Sequence, residues 1–202
     1  WDYRLTRGLA WLETFEADLD LDLGQLRYAG QTLHDLTVDL TLEEGRLDIA
    51  QLQAHQQLDG EAPRALNVQG WLEVEDERLA TDLQAQFDRI DLTAALAPFG
   101  VGELGTLDGT LNARVLDGAL LFENTTLDYQ APHWGLALSF SADSVAEGVH
   151  LVGDGSYEGE SFTYDLQIGS LLDLPDPQAP YRVSGELTTR DTLLWVAGSA
   201  VQ

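Results

Sequence analysis

The chain has 202 residues, of which 35 are acidic and 10 basic, giving a net charge of −25. A field of that sign repels phosphates, which excludes nucleic-acid binding and opposes electrostatic docking on anionic membrane surfaces. An apolar fraction of 44% sets the chain apart from disordered sequences, and the absence of Cys excludes a disulfide framework and a thiolate metal site.

A chain without Cys is compatible with an oxidising compartment such as the periplasm. There is also no Met, and the first residue is Trp1, so the expectation is a fragment or processed chain whose targeting or anchoring segment lies outside it. No run approaches the ~18 consecutive apolar residues of a membrane-spanning helix.

Taken in order, Leu5, Leu9, Leu12 and Phe15 sit at helical spacing and predict a short helix. From there the period changes to two. Phe15, Ala17, Leu19, Leu21 and Leu23 alternate with Glu16, Asp18, Asp20 and Asp22. The same alternation returns at Leu36–Leu42, Leu47–Ala54, Leu66–Val74, Leu79–Phe87, Leu111–Val115, Leu136–Phe140, Val149–Leu151 and Phe162–Ile168. A last strand is expected around Tyr181–Leu187. Period two means one wet and one apolar face per strand, and Glu43-Glu44-Gly45 and Asp117-Gly118 punctuate the runs as hairpin turns do. Asp91–Ala97 predicts one or two helical turns stopped by Pro98 and Gly100, and Pro175, Pro177 and Pro180 mark a linker. The fold class is therefore mostly β with one or two short helices. The pattern by itself is equally that of a β-sandwich, in which two such sheets cover each other.

An internal repeat runs through the strands. Leu79–Leu83 followed by Gln84 resembles Phe162–Leu166 followed by Gln167, and at the same offset Gly70 falls on Gly153 and Val68 on Leu151. The chain reads as one β-rich region, 1–202, with modules at 16–100 and 105–174 and the start of a third at 180–202.

The search for chemistry returns little. Asp18, Asp20, Asp22 and Gly24 resemble a calcium loop, but Leu23 stands where that loop needs Gly, and Leu19 and Leu21 suit a strand. His34, His55, His133 and His150 match no metal-ligand spacing. Ser156 lacks Gly two residues to either side, where Asp154 and Glu158 stand; a turn accounts for it better than a nucleophile elbow. Asn124-Thr125-Thr126 is a glycosylation triplet of a kind that arises often by chance. Trp71, Trp134 and Trp195 could serve a carbohydrate module, although aromatics on a sheet are more often packed. No catalytic residue, metal site or cofactor is expected.

Four stretches carry a resemblance: Leu9–Leu21, where a leucine-spaced turn runs into an acidic strand; Gly24–Leu36 (Gly-Gln-Leu-Arg-Tyr-Ala-Gly-Gln-Thr-Leu-His-Asp-Leu); Leu42–Ile49 (Leu-Glu-Glu-Gly-Arg-Leu-Asp-Ile); and Phe87–Leu96. In this order, over about residues 9 to 100, they resemble the C-terminal region of AsmA-family proteins. The chain departs from that pattern at His55–Glu61, which holds one Gly where the family has a glycine-rich crossing.

The resemblance implies an elongated, curved antiparallel sheet folded like a taco shell around an apolar trough, in a bridge-like lipid transfer protein of the Gram-negative envelope. It further implies a periplasmic location, an inner-membrane anchor outside this segment, and a part in phospholipid transport and outer-membrane biogenesis. The partners would be phospholipid acyl chains; protein partners are not implied. On that reading the trough is lined by alternating apolar residues, with Leu36, Val38, Leu40, Leu83, Ala85, Phe87, Leu136, Leu138, Phe140, Leu166 and Ile168 as candidates. The competing expectation is a structural or interaction β module, closed as a sandwich or acting as a spacer.

Overall fold

The computed structural model describes residues 10–28, 31–56, 64–75, 78–93, 104–116, 119–146, 148–169 and 181–200. Thirteen strands follow one another: β1 (Ala17–Tyr28), β2 (Gln31–Glu43), β3 (Arg46–Gln56), β4 (Arg64–Glu75), β5 (Arg78–Asp91), β6 (Thr106–Leu116), β7 (Ala119–Phe122), β8 (Thr125–Ala131), β9 (Leu136–Val145), β10 (Gly148–Tyr157), β11 (Glu160–Ile168), β12 (Tyr181–Thr189) and β13 (Leu193–Ala200). All belong to a single sheet whose spatial order is the chain order, and every neighbouring pair is antiparallel. β7 and β8 share one side of β6, β7 on Ala113–Leu116 and β8 on Thr106–Thr110. The two-sheet sandwich is not what forms: among the described residues there is no second sheet to cover the first. β5 and β6 are hydrogen-bonded neighbours within that sheet.

The alternating pattern decides which way each strand faces. Cross-strand partners share a face, so the registers sort the whole sheet into two sides. Every buried strand residue, from Leu36 and Leu42 through Val74, Ala85 and Val115 to Ala142 and Val149, falls on the side that carries the apolar set. A single sheet can shield one side from water by curling toward it, and here the 3-10 turn before β1 also covers part of that side.

The curl has local causes. Register shifts interrupt the β2–β3, β3–β4 and β5–β6 ladders, and an inserted residue bends a strand. Asp35 and Arg89, beside two of these shifts, hold φ of 49° and 50°. In β4 the same work falls to Gly70, at φ 133°, where a Cβ would stand 2.0 Å from the Asp82 carbonyl oxygen. Only glycine fits there, and a glycine kink of this kind is how curved sheets are made.

Helix is confined to short pieces. A 3-10 turn at Ala10–Glu13 precedes β1 and seats Leu12, 1% exposed, on Leu42 and Val74. Of the other positions in the helix expected from Leu5 to Phe15, Leu5 and Leu9 lie outside the described residues, and Phe15 is not helical but stands exposed just before β1. Of the helical segment expected over Asp91–Ala97, Asp91 ends β5, Leu92 and Thr93 are helical, and 94–97 lie outside the description, as do the prolines at 175, 177 and 180. No described helix is long and apolar enough to cross a membrane.

One expectation is corrected. Ser156 is not in a turn: it pairs with Ala137 and Ser161 within β10, and the turn follows at Glu158-Gly159. The sequence repeat keeps its strands on the same face, but the β4–β5 ladder closes on Glu75 and Arg78 and the β10–β11 ladder on Tyr157 and Glu160, so the closing pairs do not fall at the repeat offset.

Candidate functional site

The inner face carries the apolar positions of the described strands. Its backbone logic is one continuous row. Ala54, Leu66, Phe87, Gly109, Leu127, Phe140, Gly153, Tyr164, Leu187 and Leu194 are successive cross-strand partners through β3–β6 and β8–β13. At ~4.8 Å per strand that row is roughly 40 Å long. A parallel row, Leu21–Val38–Leu52–Val68–Ala85–Leu111, crosses β1–β6.

All the candidate lining residues lie on this face. Leu36, Val38 and Leu40 come from β2, Leu83, Ala85 and Phe87 from β5, Leu136, Leu138 and Phe140 from β9, and Leu166 and Ile168 from β11. Leu36, Val38 and Ala85 are buried, and the others are half-buried. Leu36 and Val38 form a cluster with Ala54, packed by Leu21, Leu23, Leu26, Leu33, Leu40 and Leu52.

In the C-terminal strands glycine and aromatics replace this leucine packing. A Cβ on Gly153 would meet the Tyr164 hydroxyl at 2.8 Å, and one on Gly155 the Phe162 ring at 2.8 Å. The bare glycine backbone is thus roofed by two rings whose centroids are 6.1 Å apart. The Tyr164 hydroxyl donates to the Ser139 carbonyl at 3.3 Å. Burial first, and then the charge of Asp154, raise its pKa above the ordinary 10.0.

The outer face carries the charge. Asp18, Asp20 and Asp22 point outward from β1, side by side along the strand at ~7 Å intervals, too far apart to hold one cation as a calcium loop would. Arg46 bridges Asp48 at 3.0 Å and Glu73 at 3.4 Å while lying 4.4 Å over the Trp71 ring. Arg114 reaches Asp82 at 3.0 Å. These exposed pairs are each worth little to stability.

The histidines are dispersed. His34 and His55 are cross-strand partners near Asp35, the His133 ring lies tilted against Trp134 with centroids 4.4 Å apart, and His150 meets Asp165 at 2.7 Å on the exposed outer wall. Among the described residues no group of three His, Asp or Glu side chains is placed to hold a metal ion. Of the tryptophans considered for sugar binding, Trp71 lies under Arg46, Trp134 against His133, and Trp195 stands 72% exposed on β13. Thr125 of the glycosylation triplet is buried, its hydroxyl bonded to the Asn112 backbone.

Sequence reasoning passed over three parts of this face: the Leu12 plug, the aromatic roof over Gly153 and Gly155, and the polar end formed by Gln56 and Arg64. Alternation placed Arg64 in step with Leu66 and Val68, but a charged residue on an apolar parity was not picked out.

No protein-family model, curated protein or solved structure matches the chain.

Proposed function

We propose that this chain is a non-enzymatic lipid-binding and transfer groove, part of an AsmA-like bridge protein of the bacterial envelope. It would work in the periplasm on phospholipid acyl chains, in transport that serves outer-membrane biogenesis, held to the inner membrane by a segment outside this one. The observation that carries the reading is the unbroken apolar row across ten strands with no described layer over it. Contiguous apolar surface beyond a few hundred Å² is a liability unless something occupies it. Acyl chains are apt occupants, at ~0.8 kcal/mol for each methylene removed from water. The acidic outer face then serves as the wet wall.

The test is native mass spectrometry with lipid extraction on the purified chain, alongside Leu83→Asp and Leu138→Asp. Co-purifying phospholipid, lost in both folded variants, is the expected result. Variants that fail to fold would show the face to be a dry core, since an unpaired carboxylate there costs several kcal/mol. A clean apo mass from the folded parent would end the lipid reading and leave an interaction module. One observation favours that second reading: β13 is an uncharged strand with Leu193, Leu194, Trp195 and Val196 all exposed.

A further inference from the structure

A hollow opens in the outer wall beside the bend in β4. The β3–β4 register slips between Ile49 and Leu52, next to Gly70. Gly70 pairs with Ile49 and Leu83 on the inner side. Residues of the other parity surround the slip on the outer side. Asp48, Trp71 and Asp82 are cross-strand partners there, and Gln69 and Gln84 pair just beyond them. Together these side chains line a space of about 580 Å³, within the range of small-molecule sites.

The Trp71 indole stands between two settings. Arg46 lies 4.4 Å from its ring centroid and is itself held by Asp48 at 3.0 Å and Glu73 at 3.4 Å. Arg46 and Glu73 stand on the hairpin side of Trp71 and do not line the hollow, whereas Gln69 and Gln84 stand on its far side and do. The ring is thus clamped from one side and presented to the hollow from the other.

The charges of the hollow are already balanced, Asp48 by Arg46 and Asp82 by Arg114 at 3.0 Å. What remains on offer is uncharged, apart from one carboxylate oxygen. Gln69 Nε2 donates to Gln84 Oε1, which leaves Gln84 Nε2 as a donor and Gln69 Oε1 as an acceptor, both on exposed side chains. Trp71 Nε1 has no acceptor among the described residues, and Arg114 engages only Oδ2 of Asp82, leaving Oδ1. Spare donors and acceptors beside an aromatic ring suit a polyhydroxylated ligand, because a hydroxyl donates and accepts at once.

We propose that this hollow binds a neutral saccharide, stacked on Trp71 and hydrogen-bonded by Gln69, Gln84 and Asp82. A pyranose with equatorial hydroxyls fits best, since its axial C–H groups give it flat apolar faces. In a chain of net charge −25, an acidic saccharide is repelled from this wall. The site lies on the opposite face of the sheet from the groove and stands whether or not the groove carries lipid.

The experiment titrates the purified chain with cellotriose, trigalacturonic acid and glycerol, followed by ligand-observed NMR. The parent is expected to bind cellotriose, to bind the acidic trisaccharide about tenfold more weakly, and to leave glycerol unbound. Trp71→Ala is expected to weaken cellotriose about tenfold or more, and Trp71→Phe less, as loss and partial loss of a stacking surface do. Gln84→Leu changes an exposed side chain and is expected to weaken cellotriose about threefold or more. It carries the test should Trp71→Ala fail to fold. Cellotriose affinity indifferent to these variants would place the sugar elsewhere and overturn the site, as would a parent that binds no cellotriose. Trigalacturonic acid bound as tightly as cellotriose, or glycerol displacing it, would overturn the assignment to a neutral saccharide.

Discussion

The first strands and the last solve the same problem in opposite ways. In β1–β5 the inner face is covered by the chain's own side chains: Leu36, Val38 and Ala54 bury one another, and Leu12 closes over Leu42 and Val74. In β10–β13 the inner positions include Gly153, Gly155 and Gly185, and Leu194 on the last strand is 51% exposed. The two edges differ likewise. β1 presents Asp18, Asp20 and Asp22, the charged protection that keeps an edge from pairing with strangers, whereas the eight residues of β13 carry no charge. One part of the sheet is thus finished as a protein core; the other, apart from the buried Val149 of β10, is left as surface. A structural module needs only the first kind, and a groove or docking edge needs the second.

The sharpest way to break this contrast is to place the same charge on both parts. Leu42→Asp buries a carboxylate among Leu12, Val74, Leu47 and Leu72, and is expected to cost about 3 kcal/mol or more. Leu194→Asp puts it on a half-exposed edge position and is expected to stay within about 0.5 kcal/mol. Urea denaturation of the two variants reads both. Equal losses would mean that the C-terminal face is covered by something the parent chain carries.

A smaller effect tests where the curvature is held. Gly70→Ala sets a methyl 2.0 Å from the Asp82 carbonyl oxygen at a φ of 133°, and is expected to cost about 1–3 kcal/mol in thermal or urea unfolding. Gly198→Ala, on β13, meets nothing within 4 Å and is expected to be neutral. If both are neutral, the bend in β4 is not fixed by Gly70.

How much of this was legible follows from the same two regions. Where one side of a strand faces water and the other faces apolar neighbours, alternation shows in the sequence, and β1–β5 and β11 could be read with their faces correct. β13 could not, because Leu193-Leu194-Trp195-Val196 is apolar on both sides and has no period. Ser156 failed for another reason. Gly153-Asp154-Gly155-Ser156 has the composition of a turn, yet it is strand interior, and its glycines are there to make room for Phe162 and Tyr164. That need arises only across the ladder, between residues far apart in sequence. The candidate lining residues were legible because parity alone places them. The polar end at Arg64 and Gln56 was not, since nothing local distinguishes an inward arginine from one that begins a strand at the surface.

The smallest predicted effect sharpens the comparison from the aromatic roof. Tyr164 is held neutral chiefly by burial, with Asp154 adding to it, so its folded pKa lies above the ordinary 10.0. The folded state therefore binds the phenolic proton more tightly than the unfolded chain does. The sign follows: this contribution to stability is fully present below pH 10 and is lost as the pH rises through the folded pKa. Tyr164→Phe removes the titration and the hydroxyl's bond to the Ser139 carbonyl, at a cost of about 1 kcal/mol or less near neutral pH. Urea midpoints of the parent and the variant, followed from neutral pH to above pH 10, are expected to converge as the alkaline loss appears in the parent alone. Midpoints that fall in parallel would show that Tyr164 is solvated in the folded chain, and that the roof over Gly153 is open to water even without a ligand.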